Sequence, residues 1–252
     1  MDTTEKLKSL SIYEFMIISL TLLAVYNIIA QKFWLAAIQI LISVLTATIL
    51  DFSINHFIYK RTYFPKSAVI SGLFVGSILY NVSGIYFVII ASALAILSKH
   101  LIKINESHLF NPASLGIFIA TILGASQLWW TAQPLLLVVV LGLIIAWKFK
   151  RFDSQPAFLA TYFIVSAIIL FFAGDISKII LKITDPFIYF FTFFMLVEPR
   201  TSPLTQKGRI IYGVIVALLA SATLRAYPAQ FILSALLTGN VIGKFIIDKY
   251  VR

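Results

Sequence analysis

The chain has 252 residues, of which 60% are hydrophobic and only 12% are charged, and its mean hydropathy is +0.97. Soluble domains carry about 25% charged residues, so this composition excludes a soluble globular protein and predicts an integral membrane protein with several spans. The formal net charge of +10 comes from basic residues in short loops, which argues against nucleic acid as a partner. The absence of cysteine excludes disulfides and thiolate-bound iron within this chain.

Ten apolar segments follow one another, separated by charged and turn residues. A helix needs about 20 apolar residues to cross the hydrocarbon core, so the third, fourth, fifth and eighth segments are too short to cross alone. We therefore expect an all-α, polytopic membrane protein with short broken helices, built as a single membrane domain over residues 1–252. The predicted limits are 12–30, 33–59, 67–80, 85–98, 110–123, 134–147, 156–172, 186–197, 210–224 and 228–247.

The distribution of lysine and arginine predicts the orientation of the spans. If ten spans place both termini in the cytoplasm, the inner side holds sixteen of the twenty basic residues, including Lys99 and Lys103, and the outer side holds four. Basic residues accumulate in cytoplasmic loops. The count therefore supports ten spans with both termini cytoplasmic.

The prolines suggest an internal repeat. Pro65 and Pro112 open the third and fifth segments and lie 47 residues apart, while Pro186 and Pro228 open the eighth and tenth and lie 42 apart. Because five is an odd number, a second five-helix unit would cross the membrane in the opposite direction. We predict two inverted five-helix repeats, at about residues 11–125 and 133–248. The alternative is that prolines are simply common at helix starts.

Three short polar motifs lie at or near the broken segments. Ser71-Gly72 precedes a second glycine four residues on, a spacing that lets another helix approach closely or leaves a smooth face for a flat ring. Phe110-Asn111-Pro112-Ala113 is a capped helix start whose N–H groups could meet an anionic or carbonyl-bearing ligand. Glu198-Pro-Arg-Thr-Ser-Pro203 is charged, proline-locked backbone beside the bilayer. Helix packing and an ordinary helix start remain the alternatives for the first two motifs.

These motifs predict one binding site at the cytoplasmic level of the membrane. Irregular backbone is tolerated at depth only where protein or a water-filled cavity surrounds it, and broken helices are the usual pointer to a binding site in repeat-built membrane proteins. The predicted site residues are Ser71, Gly72, Asn111, Pro112, Ala113, Glu198, Arg200, Thr201 and Ser202.

Asp51 is the acidic residue that lies well inside a predicted segment. An intramembrane carboxylate is a candidate for an ion or proton path, and a local pair with a neighbouring helix is the alternative. His56, His100 and His108 lack metal-ligand spacing and are expected in loops or at the interface, so no metal site is predicted. No nucleotide loop, nucleophile elbow or set of paired carboxylates with a histidine is present, so no catalytic residue is predicted.

The order and spacing of the three polar motifs resemble a membrane flavoprotein family over residues 60–209. This family contains the B subunit of the Na⁺-translocating NADH:quinone oxidoreductase and the D subunit of the Rnf electron-transport complex. The resemblance implies ten helices in two inverted repeats and a bound flavin. It also implies a place among other membrane subunits of an electron-transport complex in a bacterial inner membrane, coupled to Na⁺ or H⁺.

One departure from the family concerns the flavin linkage. Family members commonly carry FMN esterified to a threonine of a Ser-Gly-Ala-Thr-like motif, in the outer loop after the fifth helix. Here that loop runs from Gly124 to Pro134 and contains Thr131 but does not reproduce the motif. The expected cofactor is therefore a non-covalent flavin, either FMN or riboflavin.

The resemblance favours a membrane subunit that relays electrons through a flavin, with Arg200 facing the negative charge of the reduced ring, coupled to ion translocation. A stand-alone transporter or channel for a small solute, such as a flavin, is the alternative on the same scaffold. A scaffold subunit without a cofactor is a third possibility. The sequence leaves open whether the chain is part of an oxidoreductase enzyme.

Overall fold

The computed structural model describes residues 10–80, 84–104, 107–224 and 228–251, and helices occupy all ten segments predicted from the sequence. The all-α prediction is therefore confirmed. Four residues of the topology count, Lys6, Lys8, Arg225 and Arg252, lie outside the described part. In chain order the helices are α1 Ile12–Ala30, α2 Trp34–Ser53, α3 Lys66–Ile78, α4 Ile85–Leu101, α5 Pro112–Ile122, α6 Leu135–Phe149, α7 Ser154–Phe172, α8 Lys178–Ile183, α9 Pro186–Phe190, α10 Gln206–Thr223, α11 Phe231–Ile242 and α12 Asp248–Tyr250.

The short helices begin at the residues that local chemistry predicts. Asn111 caps α5 by accepting a hydrogen bond from the N–H of Ser114 at 3.0 Å, and Pro112 follows in the first turn, where a missing N–H costs nothing. Asp185 caps α9 in the same way, accepting from the N–H of Phe187 at 3.2 Å, with Pro186 next to it. Both starts are thus fixed by the adjacent cap and proline.

Helix α9 runs into a fully buried segment of the bundle. Its five α-helical residues continue as a π-turn, Phe191–Met195, and Phe190 and Phe191 are fully buried. The Phe190 ring packs edge-on against Phe74 of α3, and the Phe191 ring packs against Phe158 of α7. Because protein surrounds this segment, its short length and irregular end are compatible with a membrane interior.

The outer surface of the bundle is apolar. Large side chains such as Phe172, Leu101 and Leu136 are at least three-quarters exposed, as expected where lipid rather than water covers them. Among the described residues, four helices are long and apolar enough to span a membrane, two of them together with the helical residues that directly follow. They are Ile12–Ala30, Trp34–Ile58, Ser154–Phe172 and Phe231–Tyr250. The chain is a polytopic membrane protein.

Helix α3 crosses α2 at very close range through its two glycines. A Cβ on Gly72 would lie 2.6 Å from the Cα of Val44, and one on Gly76 would lie 2.9 Å from the Cα of Ile40. Any larger side chain at position 72 would have to push the two backbones apart. The glycine pair therefore serves helix packing, the alternative noted for this motif.

Three helix pairings occur in both halves of the chain. Helix α1 packs on α3 as α6 packs on α9, and α2 packs on α4 as α7 packs on α10. Likewise α4 packs on α5 as α10 packs on α11. Two further contacts, α1 with α6 and α5 with α11, join the halves.

Two local features differ from the sequence-based expectation. Helix α4 runs to Leu101, so Lys99 and His100 lie in the helix rather than in the following loop, and Lys99 is 9% exposed. After it, Lys103–Ile104 (β1) and Ser107–His108 (β2) pair as a two-stranded antiparallel hairpin, with Lys103 opposite His108. Two-residue strands are too short to show the alternating pattern that predicts a strand.

Candidate functional site

A cavity of about 330 Å³ opens between the ends of α1, α3 and α5 and the turn that follows α9. Most of its wall is apolar, and a few polar side chains converge on it. A volume of this size with mixed lining is typical of small-molecule sites. We call it the apolar cavity. Its apolar lining is Ile12, Met16, Ile70, Phe74, Pro112, Phe149, Phe194 and Pro199, and its polar lining is Tyr13, Ser67, Ser71, Lys99, His108, Asn111, Glu198 and Arg200.

Asn111 joins the start of α5 to α11. Its side chain caps α5, and its backbone N–H donates to the side-chain oxygen of Asn240 at 3.2 Å. The amide nitrogen of Asn240 donates in turn to the hydroxyl of Tyr212 at 2.7 Å and to the carbonyl of Thr201 at 3.4 Å. Asn240 is fully buried, so this amide fixes the wall of the cavity from behind.

The Glu198–Pro203 turn is held by its own backbone and by a neighbouring loop. The carbonyl of Glu198 accepts the N–H groups of Thr201 at 3.3 Å and Ser202 at 3.1 Å. Arg151 donates to the hydroxyl of Ser202 at 2.6 Å. Burial, together with the nearby charge of Arg209, lowers the pKa of the Arg151 guanidinium. Thr201 and Ser202 are consequently buried in the turn, while Arg200 is exposed and lines the cavity.

His108 brings the hairpin into contact with this turn. Its Nε2 lies 2.9 Å from Oε1 of Glu198, and the histidine ring is 5% exposed. Both residues line the apolar cavity. A histidine and a carboxylate within hydrogen-bond distance are a pair suited to proton transfer.

Asp51 lies apart from the apolar cavity, in a buried ion pair between α2 and α4. Its carboxylate is fully buried and receives Nζ of Lys99 at 3.0 Å on each oxygen, while Nε2 of His100 lies 2.6 Å from Oδ1. Lys99 also donates to the hydroxyl of Ser67 at 2.7 Å. The negative charge of Asp51 is thus compensated by Lys99 on a neighbouring helix. A local pair of this kind is the alternative that the sequence analysis left open.

A second, polar cavity of about 620 Å³ adjoins the first, and both are lined by Lys99, His108 and Arg200. The remaining lining comes from the α2–α3 connection, from α4 and from the hairpin. The hydroxyl of Tyr63 in this lining donates to Oδ1 of Asn55 at 3.1 Å, and burial, reinforced by the charge of Asp51, raises the pKa of Tyr63. We call this the basic cavity.

The structure brings five of the nine predicted site residues to the apolar cavity. These are Ser71, Asn111, Pro112, Glu198 and Arg200. The other four, Gly72, Ala113, Thr201 and Ser202, do not line it. Gly72 faces α2, and the other three are buried behind the wall.

Several residues of the site were not predicted from the sequence, among them His108, Lys99 and Asn240. His108 was expected in a loop or at the interface, and Lys99 was counted as a loop cation. Asn240 was not singled out, although an amide in the middle of an apolar segment is a recognisable signal of internal hydrogen bonding. Within the described residues no group of three or more histidine or acidic side chains is placed to hold a metal ion.

These features define a polytopic membrane protein with a mainly apolar cavity at the ends of its broken helices. The model of the NQR2, RnfD, RnfE family matches residues 122–252, just over half of the chain. The chain belongs to this family, as the sequence resemblance predicted. The association of this family with the Nqr and Rnf complexes supports the interpretation of the chain as a membrane subunit of a multi-subunit complex. Comparison with curated proteins gives no match.

Proposed function

We propose that this chain holds a non-covalent flavin in the apolar cavity and relays electrons within a membrane redox complex coupled to ion translocation. One observation carries the proposal: Ser71, Asn111, Glu198 and Arg200, from three separate motifs, converge on one apolar cavity. A planar, largely apolar ring with polar edges fits such a wall. A bound flavin supplies reversible electron transfer, and the protein supplies its position and surroundings.

The lining assigns a role to each part of the wall. Phe74 and Phe194 offer aromatic surface to the ring system. Arg200, which carries a fixed positive charge, favours the negative charge that reduction adds to the ring. The His108–Glu198 pair can hold a proton next to the ring. These residues together would bind the ring, stabilise its reduced form and exclude bulk water.

The outer loop after α5 supports a non-covalent flavin. Thr131, the threonine of that loop, is 1% exposed and lies in a 3₁₀ turn, Trp130–Ala132. The ring of Trp130 in this turn packs edge-on against the ring of Phe33. An ester bond to its hydroxyl would require the turn to open. We therefore place the flavin in the cavity and not on this loop.

The inverted repeat stays part of the proposal and is supported by the recurrent helix pairings. Three pairings in the first half, α1 with α3, α2 with α4 and α4 with α5, have counterparts in the second. Such a repeat places the site between its two units. The count of lysine and arginine in the loops supports the orientation that we propose for the spans. In this orientation both termini and the cavities lie on the cytoplasmic side of a bacterial inner membrane.

An ion or proton path through Asp51 stays a prediction. The carboxylate is bonded on both oxygens by Lys99, so a passing cation would have to displace an ammonium group. We assign the pair a structural role between α2 and α4. The coupling ion is not assigned to any residue.

Flavin binding to the purified chain in nanodiscs tests the proposal. Titration with riboflavin should quench its fluorescence saturably. Ser71→Phe, which extends a ring into the cavity, should weaken binding by at least about tenfold. Leu22→Phe, on the half-exposed lipid face of α1, is the matched control and should bind as the wild type does.

Two outcomes would contradict the proposal. One is the absence of saturable binding by the wild-type chain. The other is flux of flavin across proteoliposomes that contain this chain alone, because a transporter must release the ligand that an electron-relay subunit retains.

A further inference from the structure

The basic cavity carries an unbalanced positive charge. Among the described residues, neither aspartate nor glutamate lines it. Four lysine and arginine side chains and two histidines do: Arg61, Lys99, Lys103, Arg200, His100 and His108. A cleft lined by one sign of charge concentrates the field and attracts ligands of the opposite sign. The cavity is therefore suited to an anion.

Only part of this charge is compensated by neighbouring carboxylates. Asp51 pairs with Lys99, and Glu198 lies against His108. Over the described ranges, no salt bridge reaches the other three cations, which are Arg61, Lys103 and Arg200. Three cationic side chains therefore face the same space without an acidic partner.

His100 provides a second, independent indication of a ligand. Its side chain is 8% exposed, and its ring stacks on that of Tyr59, with the ring centroids 5.6 Å apart. Nε2 is bonded to Asp51, but the buried Nδ1 has no hydrogen-bond partner among the described residues. Buried polar atoms are nearly always paired with protein or with something bound. Because His100 lines the basic cavity, an oxygen of a ligand there would supply the missing partner.

The segments that form the basic cavity also carry exposed apolar side chains. Phe57, Ile58 and Phe64, in the connection after α2, are about two-thirds exposed, and Leu101 at the end of α4 is 77% exposed. Each lies within two positions of a residue that lines the cavity. Large apolar side chains exposed in this way on a membrane protein are covered by lipid. Positive charge and lipid-facing surface thus adjoin along the same segments.

An anionic phospholipid combines the two properties that this region calls for. A soluble phosphate ester offers the charge but no hydrocarbon for the exposed apolar side chains. We propose that the basic cavity binds the phosphodiester headgroup of an anionic glycerophospholipid, such as phosphatidylglycerol, whose acyl chains lie against Phe57, Ile58, Phe64 and Leu101. Basic pockets between membrane helices on the cytoplasmic side bind headgroups of this kind. The lipid leaves the apolar cavity free, so the inference does not depend on flavin binding.

The donors and the size of the basic cavity match such a headgroup. Guanidinium groups bind phosphate oxygens in bidentate fashion, and lysine adds a point charge. The phosphodiester of phosphatidylglycerol keeps its negative charge, whereas phosphatidylcholine adds a choline cation that the positive lining repels. The volume of about 620 Å³ lies within the range of small-molecule sites, about 300–1,000 Å³.

Native mass spectrometry of the full chain in detergent micelles, titrated with phosphatidylglycerol or phosphatidylcholine, tests the inference. The wild type should bind phosphatidylglycerol at least about tenfold more tightly than phosphatidylcholine. The double variant Arg61→Gln/Lys103→Gln alters two exposed side chains and should lose at least about tenfold in phosphatidylglycerol affinity, with phosphatidylcholine unaffected. Lys207→Gln, exposed and outside both cavities, should bind as the wild type does.

Thermal unfolding provides a second measurement and checks that the variants fold. In phosphatidylcholine alone the double variant should melt with the wild type, because both altered side chains are exposed. Phosphatidylglycerol should raise the melting temperature of the wild type and of Lys207→Gln, but not that of the double variant. If the double variant melts lower in phosphatidylcholine, the single variants replace it, and each should lose about fivefold in phosphatidylglycerol affinity.

Three results would overturn the inference. One is equal affinity of the wild type for phosphatidylglycerol and phosphatidylcholine. Another is unchanged phosphatidylglycerol binding by the charge-removing variants. The third is displacement of phosphatidylglycerol by an equal concentration of glycerol 3-phosphate, which would show that the cavity recognises a soluble phosphate and not a lipid. A failure of riboflavin to bind would overturn the proposed function and leave this inference standing.

Discussion

The backbone N–H of Asn111, at the start of α5, donates a 3.2 Å hydrogen bond to the side-chain oxygen of Asn240 in α11. This bond joins the two proline-associated helices at the level of the apolar cavity. The same amide reaches Tyr212 and the turn that carries Arg200. One buried side chain thus links both halves of the chain to the candidate site.

We predict that Asn240→Leu destabilises the protein and loosens the turn. The change leaves the Asn111 N–H and the Tyr212 hydroxyl buried without their partner. Each unpaired group should lower the free energy of unfolding by about 1–3 kcal/mol. Thermal unfolding in detergent and the rate of proteolysis within residues 198–205 measure the two effects. Thr238→Leu, exposed on the same helix, is the control. Equal behaviour of the two variants would show that the amide does not hold the site together.

Asp51→Asn should be strongly destabilising, by about 3–5 kcal/mol, because it leaves the Lys99 ammonium buried and unpaired. The double variant Asp51→Asn/Lys99→Met removes both charges and should recover much of the loss. Thermal unfolding of the single and double variants completes the comparison. A double variant as unstable as the single one would contradict the ion-pair assignment and would favour an ion path through Asp51.

Gly72→Ala should lower stability by about 1–3 kcal/mol through overpacking, because the new methyl group would meet the α2 backbone at Val44. Gly243→Ala is the matched control, since its nearest atoms lie at an ordinary contact distance of 3.4 Å. The melting temperatures of the two variants report the difference. Similar melting temperatures would mean that α2 and α3 are not in close contact at this crossing.

Arg200→Gln should make the bound flavin harder to reduce. Loss of the positive charge removes stabilisation from the reduced, anionic ring, and a tenfold effect corresponds to about 30 mV for a two-electron couple. Spectroelectrochemical titration of the reconstituted flavin measures the midpoint potential. Lys207→Gln should leave it unchanged. A potential that does not move in Arg200→Gln would place the guanidinium away from the ring.

The sequence predicted what depends on local chemistry. Pro112 and Pro186 marked the helix starts correctly, because a cap and a proline act on the adjacent turn. Three separate motifs were also correctly expected to lie near one another, since all fall at the same predicted level of the membrane. The fold class and the family followed from composition and from these motifs.

Contacts between distant residues could not be predicted in this way. Lys99 was counted as a loop cation because its partner, Asp51, lies 48 residues earlier in the chain. Gly72 and Ser202 were assigned to the site by their motifs. In the structure Gly72 packs against α2, and Ser202 accepts a hydrogen bond from Arg151, so neither lines the apolar cavity. Which face of a short helix meets the cavity depends on neighbours that a single sequence does not reveal.

Cryo-electron microscopy of the chain in nanodiscs with saturating flavin tests the central claim most directly. The account predicts planar density in the apolar cavity, bounded by Ser71, Asn111 and Arg200. An empty cavity at saturating flavin, or flavin density at another place in the protein, would contradict it.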